Sequence, residues 1–446
     1  MRVLLRGLVP LAISAFVLLA LPGLALAASG SNINQSNVAI DTIWVLLCAL
    51  LVFFMLAGFA ALEVGLVRSK NAGSIIAKVI FNAAIAAIAF ASFGFAIGFG
   101  KGGDVFGSDF GSVFGTVGFF LSGFNNPINN FPAMGASDAI IQSKFLFQYG
   151  FAAVVLAIAV GPLVERVKFS TYIIFGFIFC GFIYPLAAHE VYGGGFLQKW
   201  GMEDFAGSTA VHLVGAAAGL AGVLLLGPRR GKYVRGISRP LPGHSMPMFG
   251  LGVLILWFGW FGFNAGSTFN ALDGRFAEVA LVTHMSVVGG ILGATIVNWI
   301  HERNFDIAMI GNGAIAGAVA ITSPSGYVQP WAAVPIGMIG GFIVVEGLRW
   351  IDGKLDDPIG AITAHGMVGI WGTLAAGLFA VPALAAHNAV GVKVDGEFIG
   401  GLFYSGSFRQ IGIQLLGLTI VALFTFATSY AVFAALKATI GIRVDV

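Results

Sequence analysis

The stretch Asp204-Phe-Ala-Gly-Ser-Thr-Ala-Val-His212 begins with an aspartate and ends with a histidine, and the chain contains a second stretch with the same two residues at the same spacing. In Asp357-Pro-Ile-Gly-Ala-Ile-Thr-Ala-His365 an aspartate and a histidine stand at the same spacing. Both histidines lie deep in apolar runs, and Gly219 and Gly372 follow them at equal distances. Ionisable residues within membrane segments are costly and usually functional. The matched pair therefore predicts two corresponding functional positions, whereas a single histidine would indicate packing.

The composition is that of a polytopic membrane protein. Of the 446 residues, 58% are hydrophobic and 10% are charged, whereas soluble domains carry about 25% charged residues. The 64 glycines agree, since small residues let membrane helices approach closely. Cys48 and Cys180 lie in apolar runs, which excludes a disulfide framework or a Cys-based metal site. Nothing indicates a nucleic-acid partner.

Residues 1–28 have the pattern of a cleaved signal peptide. Arg2 and Arg6 precede an apolar run, and Ala25-Leu26-Ala27 resembles a cleavage site. An uncleaved extra helix is the alternative. With cleavage, a single membrane domain of residues 29–446 begins outside the cytoplasm.

Eleven apolar segments follow, each near the roughly 20 residues that a membrane-spanning helix needs. They are predicted at about 40–66, 74–99, 143–164, 169–188, 208–227, 246–270, 277–300, 305–323, 331–351, 359–386 and 410–436. The loop 228–240 carries five basic residues: Arg229, Arg230, Lys232, Arg235 and Arg239. By the positive-inside rule this loop is cytoplasmic. We therefore expect a multi-pass protein of the plasma (inner) membrane, with the N-terminus outside and the C-terminus cytoplasmic.

The repeated motif opens the fifth and tenth predicted spans, which run in opposite directions. The predicted fold is an all-α polytopic membrane protein with eleven transmembrane helices, built as an inverted 5+5 repeat plus one extra helix. Repeat one covers about 38–227, repeat two about 246–387 and the last helix about 410–440. This plan brings His212 and His365 toward one centre. Asp204 and Asp357 fall at helix N-termini, where carboxylates cap free N–H groups; capping and a functional role both remain open.

Aromatic and hydroxyl residues near the outer ends of other spans are further candidates. Phe147 and Phe151 share one helix face, although packing alone explains such a pair. Phe263 and Ser267 end an aromatic stretch of the sixth span; rings attract cations and a hydroxyl accepts hydrogen bonds. Tyr192 is either another ring at an entrance or an interfacial anchor.

Motifs for other chemistry are missing from the sequence. There is no Walker loop, dinucleotide fingerprint or zinc-type Cys/His cluster, so we expect no cofactor, no metal and no enzyme activity. A membrane enzyme that uses the histidines with a metal is the alternative from a different class, and a metal-content measurement would distinguish it.

Taken together, these motifs resemble the ammonium transporters of the Amt/Mep/Rh superfamily, on the Amt side. The resemblance rests on four stretches and runs from about residue 38 to 443. They are Ala57-Gly-Phe-Ala-Ala-Leu-Glu63-Val-Gly-Leu-Val-Arg68-Ser-Lys-Asn71, Asp204-Phe-Ala-Gly-Ser-Thr-Ala-Val-His212, Phe261-Gly-Phe263-Asn-Ala-Gly-Ser267 and His365-Gly. It implies eleven helices, a homotrimer in the lipid bilayer, and one pore for ammonium or ammonia in each protomer.

The resemblance also implies roles for single residues. His212 and His365 match the twin pore histidines, and Asp204 matches the carboxylate needed for conduction. Phe151 and Phe263 match the stacked rings of the outer mouth. We assign Phe151, Tyr192 and Ser267 to an outer ammonium site, Phe147 and Phe263 to a gate below it, and Asp204 and Asp357 to a structural or deprotonation role.

Two departures from the family pattern keep an alternative open. Many members have Trp before Gly-Gly-Gly, where this chain has Tyr192, a weaker cation–π partner. Members usually continue into an acidic cytoplasmic tail, whereas this chain ends at Ile442-Arg-Val-Asp-Val446, which puts docking of a PII-type regulator in doubt. The alternative is an Amt-like sensor that binds ammonium with little or no transport. A Rh-like neutral channel is disfavoured by the Phe151/Phe263 pair.

Overall fold

A computed structural model describes residues 35–103, 111–135 and 137–444. The predicted signal peptide lies outside the described residues. Eleven apolar helices, named α1 to α11 in chain order, form the bundle. They are Gln35–Leu66, Ser69–Phe99, Ile141–Leu163, Phe169–Lys199, Ser208–Leu226, Met246–Gly266, Arg275–Glu302, Ile307–Thr322, Pro330–Asp352, Ile362–Phe379 and Arg409–Thr439. In this part of the chain, ten are long and apolar enough to cross a membrane, and α8 is the shorter one.

Short elements connect these helices. Single helical turns lie at Phe119–Leu121, Pro127–Asn130, Pro132–Met134, Pro324–Gly326 and Leu402–Ser405, and a longer one at Pro382–Asn388. Two antiparallel hairpins pair Tyr233–Val234 with Ile237–Ser238 and Lys393–Val394 with Glu397–Phe398. We call the side of the bundle that carries the loop 228–240 the basic face.

The predicted tenth span, 359–386, is divided in the structure. Helix α10 ends at Phe379, and the separate helix Pro382–Asn388 follows. Ala380 and Val381 have extended backbone (ψ 136° and 131°). Pro382 has no N–H to donate, and a proline disfavours helical geometry in the residue before it. A continuous apolar run therefore yields a shorter helix than hydropathy indicates.

Glycines set the closest helix contacts. Gly58 of α1 faces Leu256 of α6, where an added Cβ would lie 2.8 Å from the Leu256 side chain. Gly337 of α9 lies directly against the backbone carbonyl of Ser286 in α7. Small residues at such crossings bring backbones together, which strengthens dispersion contacts in a membrane where helices gain little from the hydrophobic effect. The high glycine content therefore produces the tight packing of the bundle.

A group of charged residues, buried except for the partly exposed Arg68 and called the charged cluster below, joins distant parts of the chain at the basic face. Its members are Arg68, Glu165, Arg229 and Asp356. Glu165 receives hydrogen bonds from Arg68 Nη2 (2.9 Å) and Arg229 Nη1 (3.1 Å). Arg229 also donates to Asp356 Oδ1 (2.9 Å). The cluster fixes the residues before α10 against the connection between α3 and α4.

Candidate functional site

Both motif histidines stand on π-helical turns. His212 lies in the turn Ser208–Leu213 at the start of α5, and His365 lies in Ile362–Met367 at the start of α10. The backbone N–H of His212 donates to the carbonyl of Gly207 (2.9 Å), five residues earlier. Such turns contain one extra residue and often occur at functional sites. Each of them presents its histidine toward the space between α5 and α10.

The motif aspartates fold the chain into these turns. Asp204 accepts hydrogen bonds from the backbone N–H groups of Gly207 (3.1 Å), Thr209 (3.0 Å) and Ala210 (2.8 Å). Gly207 has φ +116°, a left-handed conformation that glycine adopts without strain. The side chain of Asp204 therefore satisfies the free donors at the start of α5, as the capping interpretation expects.

The second motif uses the same construction. Asp357 accepts from the N–H groups of Gly360 (3.1 Å) and Ile362 (2.7 Å), and Gly360 has φ +74°. Burial acts on the pKa of both aspartates. Burial raises the pKa of Asp204 to about 6 despite the backbone hydrogen bonds that lower it, and burial also raises the pKa of Asp357. At neutral pH Asp204 is therefore still mainly ionised.

The two imidazoles meet inside the protein. Nδ1 of His365 lies 3.2 Å from Nδ1 of His212, and the ring centroids are 5.1 Å apart with an interplanar angle of 26°. Both residues are buried, at 0% and 6% exposed. Because one nitrogen must donate and the other accept, at least one ring is neutral. Nε2 of His212 is buried without a hydrogen-bond partner among the described residues, so its capacity to form a hydrogen bond is unused.

A column of aromatic rings leads to the histidine pair. Phe263 stacks on His212 with centroids 5.7 Å apart, and Phe151 stacks on Phe263 at 4.0 Å and 16°. Phe147 lies against Phe151 at 4.8 Å. All three phenylalanines are buried. The structure therefore brings five of the residues singled out by the sequence into one continuous column.

Ser267 and Tyr192, the other two residues predicted for the outer site, are not rings of this column. Ser267, one turn after Phe263, donates its hydroxyl hydrogen to the Phe263 carbonyl (2.9 Å) and is partly exposed. Tyr192 lies beside the Asp204 turn, since a Cβ added at Gly207 would be 3.1 Å from the Tyr192 hydroxyl. That hydroxyl is buried without a hydrogen-bond partner in the described part of the chain. The structure shows no ring contact between Tyr192 and Phe151 among these residues.

Several polar residues at this site were not predicted from the sequence. The hydroxyls of Thr209 and Thr373 lie 2.5 Å apart and join the two motif helices. Gln414 of α11 donates to the carbonyls of Glu203 (2.6 Å) and Thr373 (3.0 Å). Trp260, whose ring is 5.5 Å from that of His212, donates to Thr322. Two of these residues had a sequence signal: Trp260 lies in the aromatic stretch that ends with Phe263 and Ser267, and Glu203 stands directly before a motif aspartate.

The geometry offers no cluster that would hold a metal. Within residues 35–103, 111–135 and 137–444, no three His, Cys, Asp or Glu side chains group closely enough to bind a metal ion. The ring of His212 has the aromatic rings of Trp260 and Phe263 as neighbours, at centroid distances of 5.5 and 5.7 Å.

Together, the helices define a multi-pass membrane protein with a buried histidine pair at the end of an aromatic column. Residues 43–446 match the model of the Ammonium Transporter Family, and the chain belongs to this family. It is similar to the ammonium transporter Amt2 of Archaeoglobus fulgidus, with 36% identity covering 95% of this chain and 89% of that protein. Ammonium transporter 3 of Dictyostelium discoideum is 34% identical, covering 91% and 90% of the two chains.

Solved structures support the same membership. The chain resembles a protein described as "Sensor Amt Protein", with a TM-score of 0.82, 30% identity and coverage of 93% of this chain and 96% of that chain. It also resembles Mep2 of Candida albicans, with a TM-score of 0.81, 28% identity and coverage of 93% and 88%. These relatives therefore include both a transporter-type name and a sensor-type name.

Proposed function

We propose that the protein transports ammonium across the plasma membrane, taking it up at the outer aromatic end of the column and passing it as ammonia along the histidine pair. The observation that carries this proposal is the unbroken stack of Phe151, Phe263, His212 and His365, with neighbouring centroids 4.0, 5.7 and 5.1 Å apart. The family membership supplies the substrate.

Selectivity follows from deprotonation. Ammonium and potassium carry the same charge and have similar sizes, so a pore for the bare cation would separate them poorly. Moving an ion into a low-dielectric interior costs on the order of tens of kcal/mol by Born arguments. Ammonium can leave its proton outside and cross as ammonia, whereas potassium cannot. A dry pore therefore rejects potassium by chemistry.

We assign the residues in the order in which ammonium would meet them. Phe151, Tyr192 and Ser267 gather ammonium through ring faces and hydroxyl oxygens. Phe263 closes the passage below. Phe147, the other residue assigned to the gate, lies one turn before Phe151 in α3 and packs against its ring at 4.8 Å. Deprotonation takes place near Asp204 or at the rings, and the structural role of Asp357 is to hold the second π turn.

The histidine pair then offers a hydrogen-bonding surface to a neutral molecule. In the contact between the two Nδ1 atoms one nitrogen donates and one accepts. The unpartnered Nε2 of His212 is available to ammonia. Whether the released proton follows along the imidazoles decides between electrogenic transport and conduction of the neutral gas.

We propose eleven membrane spans arranged as an inverted 5+5 repeat plus α11. Helix α8 has 16 residues, which corresponds to about 24 Å, less than the hydrocarbon core of about 30 Å. Its residues from Gly311 onward are buried in protein, so its length does not have to match the lipid. The paired π turns and their Asp caps support the repeat.

We also propose the orientation and assembly implied by the family. The N-terminus lies outside, after removal of residues 1–28, and the basic face is cytoplasmic. The protein forms a homotrimer, and α1, α6 and α7 offer exposed apolar side chains such as Leu50, Leu254 and Leu281 to lipid or to another subunit. A PII-type regulator would approach at the basic face.

The decisive experiment measures transport currents. The double variant His212→Leu/His365→Leu, reconstituted in liposomes, should give no current on an ammonium pulse in solid-supported membrane electrophysiology. His284→Leu is the matched control, because His284 lies in membrane-length helix α7 and stacks on Trp257, away from the column. The control should keep its current. An unchanged, potassium-excluding current in the double variant would reject the role of the pair.

A sensor is the second candidate function. It is favoured by the likeness to the protein described as a sensor, which this chain matches over 96% of that chain. A sensor would bind ammonium yet give no sustained current in the wild type. The same recordings therefore separate the two functions, with an ammonium-binding measurement as the companion experiment.

A further inference from the structure

Each motif aspartate is preceded by a second acidic residue. Glu203 stands before Asp204, and Asp356 stands before Asp357. Both second acidic side chains are buried, at 0% exposed for Glu203 and 2% for Asp356. Ionised carboxylates survive burial only when they are paired or hydrogen-bonded. The surroundings of these two residues therefore decide the protonation state of each.

Asp356 has the partners that an ionised carboxylate needs. Arg229 donates to it from its backbone N–H (2.6 Å) and from Nη2 (2.9 Å). Burial alone would raise the pKa of Asp356, but the hydrogen bonds and charge of Arg229, with the charge of Arg166, lower it overall. Asp356 is therefore a carboxylate.

Glu203 has no such partners. Neither carboxyl oxygen accepts a hydrogen bond from any described residue. Its backbone, by contrast, is fully engaged: the N–H donates to Gln414 Oε1 (2.7 Å), and the carbonyl accepts from Gln414 Nε2 (2.6 Å) and Ser323 Oγ (2.8 Å). These bonds hold the side chain inside the protein instead of letting it swing to solvent.

The loop between Pro382–Asn388 and the hairpin Lys393–Phe398 covers the Glu203 carboxyl. A Cβ added at Gly391 would lie 2.8 Å from Glu203 Oε1, and 3.2 Å from both Ala385 and Phe398. The cover is therefore apolar, with no room for a larger side chain. Burial in this setting raises the pKa of Glu203 well above its ordinary value.

Few charged groups belong to the elements packed around Glu203. Its titratable neighbours are Asp204, the next residue in the chain, and Tyr327, whose pKa burial raises well above its ordinary value. Gln410 and Gln414 of α11 are neutral. Two of the remaining charged groups on these elements have partners elsewhere: Lys393 lies over the Phe398 ring at 4.3 Å, and His387 faces Asp273 at 3.3 Å. The others are exposed at the surface: Lys199, Asp395, Glu397 and Arg409.

We propose that Glu203 carries a proton and so places no second negative charge beside Asp204, which remains the ionised carboxylate next to the ammonium pathway. An ionised Glu203 would be a buried charge that no described residue stabilises with a hydrogen bond, which is costly. Three backbone N–H groups stabilise charge on Asp204, and none does so on Glu203. The proton therefore belongs on Glu203. This inference rests on the role of Asp204 in the proposed function.

Infrared difference spectroscopy of the full-length protein in liposomes tests the proton directly. At pH 7.5 the wild type should show the C=O stretching band of a protonated carboxylic acid that Glu203→Gln lacks and Asp204→Asn retains. A band that persists in Glu203→Gln and disappears in Asp204→Asn would place the proton on Asp204 and overturn the proposal. The absence of any band difference between the wild type and Glu203→Gln would overturn it as well.

Transport supplies the second measurement. Because glutamine mimics a neutral carboxylic acid, Glu203→Gln should keep the half-saturating ammonium concentration within about twofold of the wild type. A tenfold change, a difference of about 1.4 kcal/mol, would show that the working form of Glu203 is the charged one. Failure of the proposed function is recognised separately: Asp204→Asn would then transport normally, whatever the infrared band shows.

Discussion

The charged cluster at the basic face makes a strong prediction about stability. Replacing Glu165 by glutamine keeps the shape of the side chain and removes its charge. The Glu165 carboxylate is fully buried and accepts from the Arg68 side chain, the Arg68 backbone N–H (2.8 Å), Asn71 Nδ2 (2.9 Å) and Arg229 Nη1 (3.1 Å). Glutamine cannot satisfy two guanidinium groups, because half of its terminal group is itself a donor.

The pKa of Glu165 gives the size of the expected loss in folding stability. Burial raises this pKa, but the hydrogen bonds from Arg68, Asn71 and Arg229 overcome that effect and lower it from 4.5 to about 2. A shift of that size corresponds to about 3 kcal/mol of folding stability. Removing one partner from a buried ion pair costs about 3–5 kcal/mol, which agrees. We therefore expect Glu165→Gln to lower the free energy of unfolding by about 3 kcal/mol at pH 7.

The stability that Glu165 contributes should decrease as the pH falls. A carboxyl whose pKa is depressed in the folded state stabilises the protein above its unfolded pKa, and that stability is lost as the pH falls toward the folded pKa. For Glu165 the window runs from pH 4.5 down to about 2. The gap between the wild type and the variant should therefore shrink by about 2 kcal/mol between pH 7 and pH 3.

Unfolding by SDS in mixed micelles, followed by tryptophan fluorescence, measures this gap. Glu302→Gln is the matched control, because Glu302 pairs with Arg349 at 2.5 Å while both side chains are nearly half exposed. Such exposed pairs contribute about 0–1 kcal/mol. Glu165 does not stabilise the fold through its charge if Glu165→Gln unfolds within about 1 kcal/mol of the wild type at pH 7, or if the gap is the same at both pH values.

Three further predictions concern packing and the outer site. Gly337→Ala would press a methyl group into the Ser286 carbonyl and should cost about 1–3 kcal/mol in the same unfolding assay; Gly353→Ala, with open space around it, should not, and equal stabilities would contradict the tight contact of α7 and α9. Ser267→Ala should leave stability nearly unchanged but raise the half-saturating ammonium concentration about tenfold, the loss of one charge-assisted hydrogen bond of about 1.5 kcal/mol; unaltered transport would exclude Ser267 from the site. Tyr192→Trp should lower that concentration about threefold through a stronger cation–π contact, and no change would remove Tyr192 from the outer site.

The sequence predicted the helical membrane fold and the meeting of the two motif histidines, because both depend on patterns along the chain. Hydropathy locates long apolar helices, and equal Asp-to-His spacing indicates corresponding positions. The same patterns could not reveal the π turns or the break after Phe379. Those features depend on which hydrogen bonds the backbone forms once the helices have packed.

Long-range polar contacts also could not be predicted from the sequence. Glu203 meets Gln414, which lies 211 residues further along the chain, and Thr209 meets Thr373 across two helices. Side chains of this kind look like ordinary interruptions of an apolar run when the sequence is considered alone. Only the three-dimensional arrangement shows that Asp356 has arginine partners and Glu203 has none.

The π turns under His212 and His365 also bear on how this chain tolerates changes in length. Each turn contains one residue more than an α-helical turn would. Deleting Leu213, the last residue of the turn Ser208–Leu213, would let α5 close up as a regular helix, with its later residues still in register against their neighbours. His212 would then take the position of Leu213, so its imidazole would turn by about 100° around the helix axis. We expect such a deletion to leave a folded protein whose two rings no longer face each other.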